Sequence, residues 1–154
     1  MKKVLALLLL LAALISIAGC NNNATYTDDA AIAKKTDSFS TKMWTSNTRG
    51  NEFTASATLT GARTIWRYNA ESDIDVTFAF LLSVTGDVGK AKLVLIGPDD
   101  DVTIITENAN SATYDELQYQ TISLKKGSNR IKVVAQDAPK FELTLSTDIG
   151  QLGI

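Results

Sequence analysis

The sequence predicts an all-β domain, an antiparallel two-sheet β-sandwich of about eight strands, which follows a cleaved N-terminal leader. Three observations lead to this fold class. Over most of residues 51–154, large apolar side chains alternate with polar ones, which is the period of a half-buried strand. Short segments rich in Gly, Asp and Asn separate these runs, as expected of turns. No segment has the helical pattern that a crossover between parallel strands requires, so antiparallel pairing is predicted.

The leader has the layout of a secretory signal peptide. A basic start at Lys2 and Lys3 precedes an apolar run over residues 4–18, and small residues come before Cys20. One alternative is an uncleaved transmembrane anchor, but that needs about 20 apolar residues to cross the hydrocarbon layer. Another alternative is ordinary secretion with a chance cysteine. Residues 1–19 are predicted to be the signal peptide.

The residues Ile17-Ala18-Gly19-Cys20 resemble the bacterial lipobox. The resemblance implies that the signal peptidase recognises Ile17, Ala18 and Gly19 and that Cys20 becomes the lipidated N-terminus. Cys20 is the only cysteine, so it has no disulfide partner within the chain. A diacylglyceryl group supplies two acyl chains, which hold a protein stably at a membrane. We therefore expect a lipid anchor on the extracytoplasmic face of the cell membrane. Asn21 is not the aspartate of an inner-membrane retention signal, so an outer-membrane destination stays open.

Composition excludes several functions for the remaining residues. Loss of Lys2 and Lys3 with the leader changes the net charge from −2 to −4, which gives no support for nucleic-acid binding. The chain has no histidine, so Ser-His-Asp and Cys-His catalysis are excluded and the commonest zinc ligand is missing. We predict no enzyme activity, no cofactor and no metal site.

Residues 20–50 are polar and mixed in composition, and we interpret them as the lipidated cysteine and a polar tether. Within them, residues 28–35 place acids first and lysines last, which suits a helical turn or two. Phe39, Met43 and Trp44 indicate that the second half of the tether docks onto the domain. The β-sandwich is assigned to residues 51–154.

The strands follow from the alternation. The clearest run is residues 74–84, whose large apolar side chains would be scattered around a helix but share one face of a strand. The other predicted strands occupy residues 53–60, 64–68, 90–96, 102–107, 122–124, 131–133 and 141–145. Gly97-Pro98 and Gly127-Ser128-Asn129 supply turn chemistry between them.

The segment Ser123-Leu124-Lys125-Lys126-Gly127-Ser128-Asn129-Arg130-Ile131-Lys132-Val133 resembles one that is common in jelly-roll carbohydrate-binding modules. In those modules a strand ends in Leu, a Gly-x-Asn turn follows, and an Ile-x-Val strand returns. The resemblance covers residues 86–146 and implies a jelly-roll, galactose-binding-like sandwich. The chain also resembles small bacterial envelope lipoproteins that carry one such domain of unassigned function. No sugar-binding residue is carried over, because no ligand motif matches position by position.

Three aromatic residues are the candidate ligand-binding residues. Trp66 and Tyr68 lie two apart, so both rings face one side of a strand. They either form a platform on which a sugar ring stacks or pack into the sandwich core. Trp44 either caps an open end of the sandwich or reaches a ligand.

Charged clusters give weaker candidates. Asp99, Asp100 and Asp101 suit a solvated hairpin turn, with calcium binding as the alternative. Three acids of one parity, Glu71, Asp73 and Asp75, either keep a strand edge soluble or act as a glycosidase pair. A basic group consists of Lys125, Lys126, Arg130 and Lys132, which form a solvated outward face or meet anionic lipid or wall polymers.

The anchor and the absence of a catalytic constellation together predict a non-catalytic binding or interaction module. Its ligand is a glycan or an envelope protein. A carboxylate-based glycoside hydrolase and a purely structural envelope protein are the alternatives.

Overall fold

The computed structural model describes residues 22–86, 88–109 and 116–154, so the leader and Cys20 lie outside it. The elements in chain order are the 3₁₀ turn Asn22–Thr27, α1 Asp29–Ala33, β1 Ser38–Arg49, β2 Glu52–Ala70, β3 Ile74–Thr85, β4 Lys90–Ile96, β5 Val102–Ala109, β6 Gln118–Leu124, β7 Gly127–Gln136, β8 Lys140–Ser146 and β9 Gln151–Leu152. Within these ranges, no helix has the length and apolar character needed to cross a bilayer.

One continuous antiparallel sheet folds over at β2 to make two layers. The first half of β2 pairs with β1 and β8, and β8 continues to β3 and β6. The second half of β2 pairs with β7 and β9, and β7 continues to β4 and β5. We call these layers the first sheet, β1-β2-β8-β3-β6, and the second sheet, β9-β2-β7-β4-β5. The arrangement confirms the predicted β-sandwich, with nine strands in the described residues.

Gly61 stands where β2 passes from the first sheet to the second. Its φ is +103°, a conformation that favours glycine, and an added Cβ would collide with the backbone of Ser38 on β1. At this position β2 is paired on both sides, with Phe39 of β1 and Ala135 of β7. Gly61 therefore allows the two sheets to meet on one strand.

A β-bulge then reverses which side chains of β2 point inward. The pairing of β2 with β7 is irregular between Thr64 and Trp66, so that one extra residue is inserted into β2. Before the bulge the inward positions are odd-numbered, from Phe53 to Leu59, and after it Trp66 and Tyr68 pack on the core. A one-residue insertion has this effect because side chains alternate along a strand.

The main core fills the space between the two sheets. It holds a continuous set of apolar side chains from both layers, among them Phe53, Leu59, Trp66, Val76, Phe78, Phe80, Leu82, Leu93, Leu124, Ile131, Val133, Phe141 and Leu145. Trp66 meets Phe78 edge to face, with ring centroids 5.1 Å apart. Burial of these large side chains is the main stabilising contribution, about 1.5–3 kcal/mol for each.

A second apolar cluster covers the outer face of the second sheet. Tyr26 and Ile32, from the 3₁₀ turn and α1, pack on outward side chains of β2, β4 and β7. The cluster consists of Tyr26, Ile32, Ala33, Ala62, Val94, Ile96 and Val134. The Tyr26 hydroxyl donates to Glu107 Oε1 over 2.7 Å, and Asp28 caps α1 by accepting from Ala31 N over 3.1 Å.

Backbone and side-chain groups from the end of α1 to the start of β1 bind two buried cations. Lys132 Nζ donates to Lys34 O over 2.7 Å and lies 3.1 Å from Asp37 Oδ1. Arg130 Nη2 donates to Ala33 O over 2.8 Å. Both side chains point away from the main core, but residues 22–37 cover them and they are buried. Neither cation therefore belongs to the solvated outward face that the sequence favoured.

The predicted tether boundary at residue 50 is wrong. Residues 38–49 form β1, which pairs along the first part of β2 through the tight turn Gly50-Asn51. Gly50 has a φ of +61°, as the first position of a type II′ hairpin turn requires. Nearly every residue of β1 is exposed to solvent, so the strand lacks the buried stripe by which a strand is recognised in a sequence.

Asp37→Asn is expected to lower the free energy of unfolding by about 3 kcal/mol, because Lys132 stays buried without a counter-charge. Urea unfolding measures this value. Asp99→Asn is the matched control, since Asp99 is an exposed turn carboxylate, and its expected change is below about 0.5 kcal/mol. Equal losses in the two variants would contradict a stabilising role for the pair.

The pair also gives the stability a pH dependence. Burial alone would raise the pKa of Asp37, but hydrogen bonds from Thr64 and Lys132 bring that pKa below its ordinary value of 3.8. A carboxylate with a depressed pKa stabilises the fold above its unfolded-state pKa, and this contribution is lost as the pH falls through the folded-state value. Below about pH 4, wild-type stability should therefore fall more steeply with pH than that of Asp37→Asn. Urea midpoints measured in steps of pH test this, and parallel curves would refute it.

Candidate ligand-binding face

The outer face of the first sheet carries polar side chains at the positions that alternate with the core. Two cross-strand rows run over β1, β2 and β8, one of Asn47, Thr54 and Thr144 and one of Thr45, Ser56 and Glu142. We call these six residues the hydroxyl face. Thr54 and Ser56 point outward because Phe53 and Ala55 of the same strand point into the core.

The hydroxyl face forms an open groove of about 300 Å³ whose floor is completed by Leu81 of β3. A groove of this size is at the lower end of the range for small-molecule sites. Glu142 is the only carboxylate that lines it, and its other polar groups are hydroxyls and the Asn47 amide, together with Ser46. The groove can therefore donate and accept several hydrogen bonds at once, and it carries one negative charge.

Tyr119 adds an exposed aromatic ring beside the groove. It lies on β6 opposite Ala79 of β3, on the outward side, and 72% of it is accessible to solvent. Leu81 is two residues beyond Ala79, so it is the diagonal neighbour of Tyr119, at about 7–8 Å between backbones. Exposure of a tyrosine to this extent gives it no role in the core.

The structure places Trp66 in the core, which is one of the two alternatives that the sequence left open. The side chain has no accessible surface, and its indole Nε1 donates to Ile149 O over 2.8 Å. Tyr68 stacks on it with ring centroids 6.1 Å apart and is half-buried against the same core. The two rings do share one face of β2, as their spacing predicts, but the bulge turns that face inward.

Trp44 is partly buried and packs against the main core. Its ring meets Phe141 edge to face at 6.2 Å, and the guanidinium of Arg63 lies 3.8 Å above it. The residue before it, Met43, has a φ of +53°, and the pairing of β1 with β2 shifts at this point. At this irregularity Trp44 turns toward the core, whereas its neighbours on β1 are exposed.

Two of the three predicted acidic candidates, Asp73 and Asp75, are engaged in structural contacts. Asp73 accepts from Lys125 Nζ and from Lys126 N, both over 2.9 Å, and the Lys125 bond lowers the pKa of Asp73. A carboxyl group with a lowered pKa is unsuited to the general-acid role of a glycosidase. Asp75 accepts from Ser123, a cross-strand neighbour on β6.

The acidic turn forms a hairpin between β4 and β5. Gly97 N donates to Asp101 O over 3.0 Å, and Asp100, with a φ of +62°, pairs with Arg130 at 2.9 Å. In the part of the chain that the structure describes, no group of three or more Cys, Asp or Glu side chains is placed to hold a metal ion. The turn therefore has the hairpin role that the sequence favoured.

The hydroxyl face and Tyr119 were not identified from the sequence. Thr54, Ser56 and Thr144 look like ordinary outward positions of half-buried strands, and only the register brings them together with Asn47 and Glu142. Tyr119 shares its parity with Thr121 and Ser123, which alternate with the inward Ile122 and Leu124. Extending this alternation two residues back would have predicted an outward tyrosine.

Comparison with known proteins finds similarity in solved structures. No protein-family model matches the chain, and no curated protein matches it. Among solved structures, the chain is similar to TmCBM61 in complex with β-1,4-galactotriose, at 8% identity and a TM-score of 0.40, over 76% of this chain and 90% of that one. It is also similar to the carbohydrate-binding module CBM6cm-2 from Cellvibrio mixtus lichenase 5A in complex with cellotriose, at 12% identity and a TM-score of 0.39, over 75% and 92%. A family 29 carbohydrate-binding module gives 12% identity and a TM-score of 0.36, over 72% and 78%.

Trp66→Phe is expected to lower the free energy of unfolding by about 1–3 kcal/mol, because Ile149 O loses its buried donor. Ligand binding at the hydroxyl face should be unchanged, since Trp66 has no accessible surface. Urea unfolding measures the free energy of unfolding, and calorimetric titration with an oligosaccharide measures the affinity, both on one sample of the variant. A variant that loses glycan affinity while keeping its stability would show that Trp66 does contact ligand.

Proposed function

We propose that the chain is a non-catalytic glycan-binding module, held by a lipidated Cys20 on the extracytoplasmic face of a membrane. The observation that carries the proposal is the hydroxyl face with Tyr119 beside it. It is an open groove on the outer face of the first sheet, lined by hydroxyls, an amide and one carboxylate together with Ala55, Leu81 and Leu143.

This groove suits a saccharide for chemical reasons. Sugar hydroxyls both donate and accept, and the groove offers Thr and Ser hydroxyls, the Asn47 amide and the Glu142 carboxylate as partners. The apolar C–H face of a pyranose stacks on an aromatic ring, and Tyr119 presents such a ring to solvent. A groove that is open to solvent accepts an internal stretch of a polysaccharide as well as its end.

The same groove is unsuited to hydrolysis. Glycosidases of the usual kind place two carboxyl groups on either side of the scissile bond, about 5–10 Å apart. Glu142 is the only carboxylate lining the groove, so a glycan bound there would meet no acid–base pair. A binding role is therefore favoured over the hydrolase alternative.

Lipidation of Cys20 would hold the domain close to the membrane. The docked chain begins at Asn23, which exchanges hydrogen bonds of 2.7 and 3.0 Å with Asp137 in the β7–β8 turn. Two residues lie between Cys20 and Asn23, and the three backbone steps reach about 11 Å when fully extended. The end of the sandwich that contains Asp137 would then face the lipid headgroups.

Tyr119→Ala is expected to weaken glycan binding about fivefold, because a stacking contact contributes about 1 kcal/mol. A glycan array on the chain without residues 1–20 identifies the ligand, and calorimetry with the best oligosaccharide measures the affinity. Glu142→Gln should weaken binding through loss of a charged acceptor, by a similar factor.

Ile104→Ala is the matched control for Tyr119→Ala, since Ile104 is a half-exposed apolar residue of the second sheet. Its affinity for the oligosaccharide should equal that of the wild type. Failure to bind any glycan, together with a specific protein adduct on crosslinking in cells, would replace the glycan by an envelope protein as ligand.

Cys20→Ala is expected to release the protein from the membrane fraction and to leave its N-terminus without lipid, because the thiol that carries the lipid is gone. Fractionation followed by mass spectrometry of the N-terminus measures both effects. Ser40→Ala is the control, and it should remain in the membrane fraction with a processed N-terminus. A mutant at Cys20 that still sediments with membranes after losing residues 1–19 would refute the lipid anchor.

A further inference from the structure

A second, chemically different recess lies on the outer face of the second sheet. It has a volume of about 210 Å³ and is lined by Lys35, Arg67, Ser128 and Arg130. Three of these four residues are cationic and none is acidic. The recess lies where the chain leaves α1, between the ends of β2 and β7, and it shares no residue with the hydroxyl face.

Two arginines face each other in this recess across adjacent strands. Arg67 of β2 is the register partner of Arg130 of β7. Like charges directly opposite each other in a sheet are destabilising unless a counter-charge lies between them or nearby. Arg130 has such a partner in Asp100, 2.9 Å away, whereas Arg67 and Lys35 have no ion pair within residues 22–86, 88–109 and 116–154.

Arg130 is the residue of the recess whose side chain is held in place by the rest of the protein. Its side chain is only 7% exposed, and it is fixed by bonds from Nη2 to Ala33 O and to Asp100 Oδ1. Its Nε is buried and has no acceptor among the described residues. A buried N–H of a charged group without an acceptor is costly, and a ligand oxygen in the recess would remove that cost.

We propose that this recess binds a phosphoryl oxyanion, through the guanidinium groups of Arg67 and Arg130, the Lys35 ammonium and the Ser128 hydroxyl. The two uncompensated positive charges of Lys35 and Arg67 match the charge of a phosphate monoester, about −1.5 to −2 at neutral pH. Arginine is suited to this ligand because its planar fork binds phosphate oxygens in pairs. The recess has room for such a group, since one water occupies about 30 Å³.

The position of the recess favours a phosphate that does not belong to the membrane of the anchor. Arg130 precedes Asp137 by seven residues along β7, which is about 24 Å at the rise of a strand. On the proposed anchoring, the Asp137 end faces the lipid, so the recess is turned away from it. A phosphorylated sugar or polymer reaches it more readily than a lipid headgroup does. Only this choice of source rests on the proposed function.

The test uses the chain without residues 1–20 and glucose 6-phosphate as probe, with glucose as the uncharged reference. Titration followed by NMR should shift the amides of Arg67 and Ser128 with glucose 6-phosphate and leave them unshifted with glucose. Arg67→Gln and Lys35→Gln should each weaken the affinity at least tenfold. Arg49→Gln and Lys42→Gln, which remove the same charges from β1, should bind as the wild type does.

Vesicle binding distinguishes a soluble phosphorylated molecule from a lipid headgroup as the source of the phosphate. If the ligand is a soluble phosphate, Arg67→Gln and the wild type should sediment with phosphatidic acid vesicles in equal amounts. Binding to vesicles that depends on Arg67, without any binding of glucose 6-phosphate, would overturn the proposed source. Equal affinity of Arg67→Gln and Arg49→Gln for glucose 6-phosphate, or no affinity in the wild type, would overturn the site. Tyr119→Ala should leave the affinity for glucose 6-phosphate unchanged. A failure of the glycan proposal is therefore distinguishable from a failure of the phosphate site.

Discussion

Strand β2 is the constraint on which the rest of the structure depends. It runs for 19 residues, belongs to both layers and pairs directly with four strands, β1, β7, β8 and β9. Gly61 lets the layers meet, and the bulge before Trp66 reverses the inward side. The first half of β2 then contributes Thr54 and Ser56 to the hydroxyl face, while the second half contributes Arg67 to the cationic recess. One strand therefore positions two sites of different chemistry on opposite outer faces.

Much of the fold could be predicted from the sequence, because burial on one side of a strand produces alternation. The run that became β3 shows this directly, since the predicted inward residues from Val76 to Val84 are buried, and the parity fails only at the exposed Ile74 and the buried Ser83. Alternation cannot locate a bulge, however. The sequence therefore placed Trp66 and Tyr68 correctly on one face of a strand, but it did not show whether that face points into the core. β1 was missed because it is exposed on nearly all its length, and hydrogen bonding to β2 leaves no mark in the hydrophobic pattern.

The site was harder to predict than the fold for a related reason. Arg130 and Lys132 sit at outward strand positions, which ordinarily means solvent, and only residues 22–37 make them buried. That covering is a contact between segments about 100 residues apart in the chain, and single-sequence periodicity carries no information on it. The hydroxyl face likewise arises from register between three strands, which alternation within each strand does not fix.

The N-terminal covering has a practical consequence for anyone who dissects this protein. A fragment cut at residue 51, where the polar composition ends, would lack β1 and leave a long edge of β2 unpaired. The same cut would strip Ala33 O, Lys34 O and Asp37 from the two buried cations and uncover an apolar patch around Val94 and Val134. Bare edges and apolar patches are what drive strands of separate molecules together. Recombinant work should therefore begin the chain immediately after the cysteine, since the residues that look dispensable cover the edge of β2 and the apolar patch.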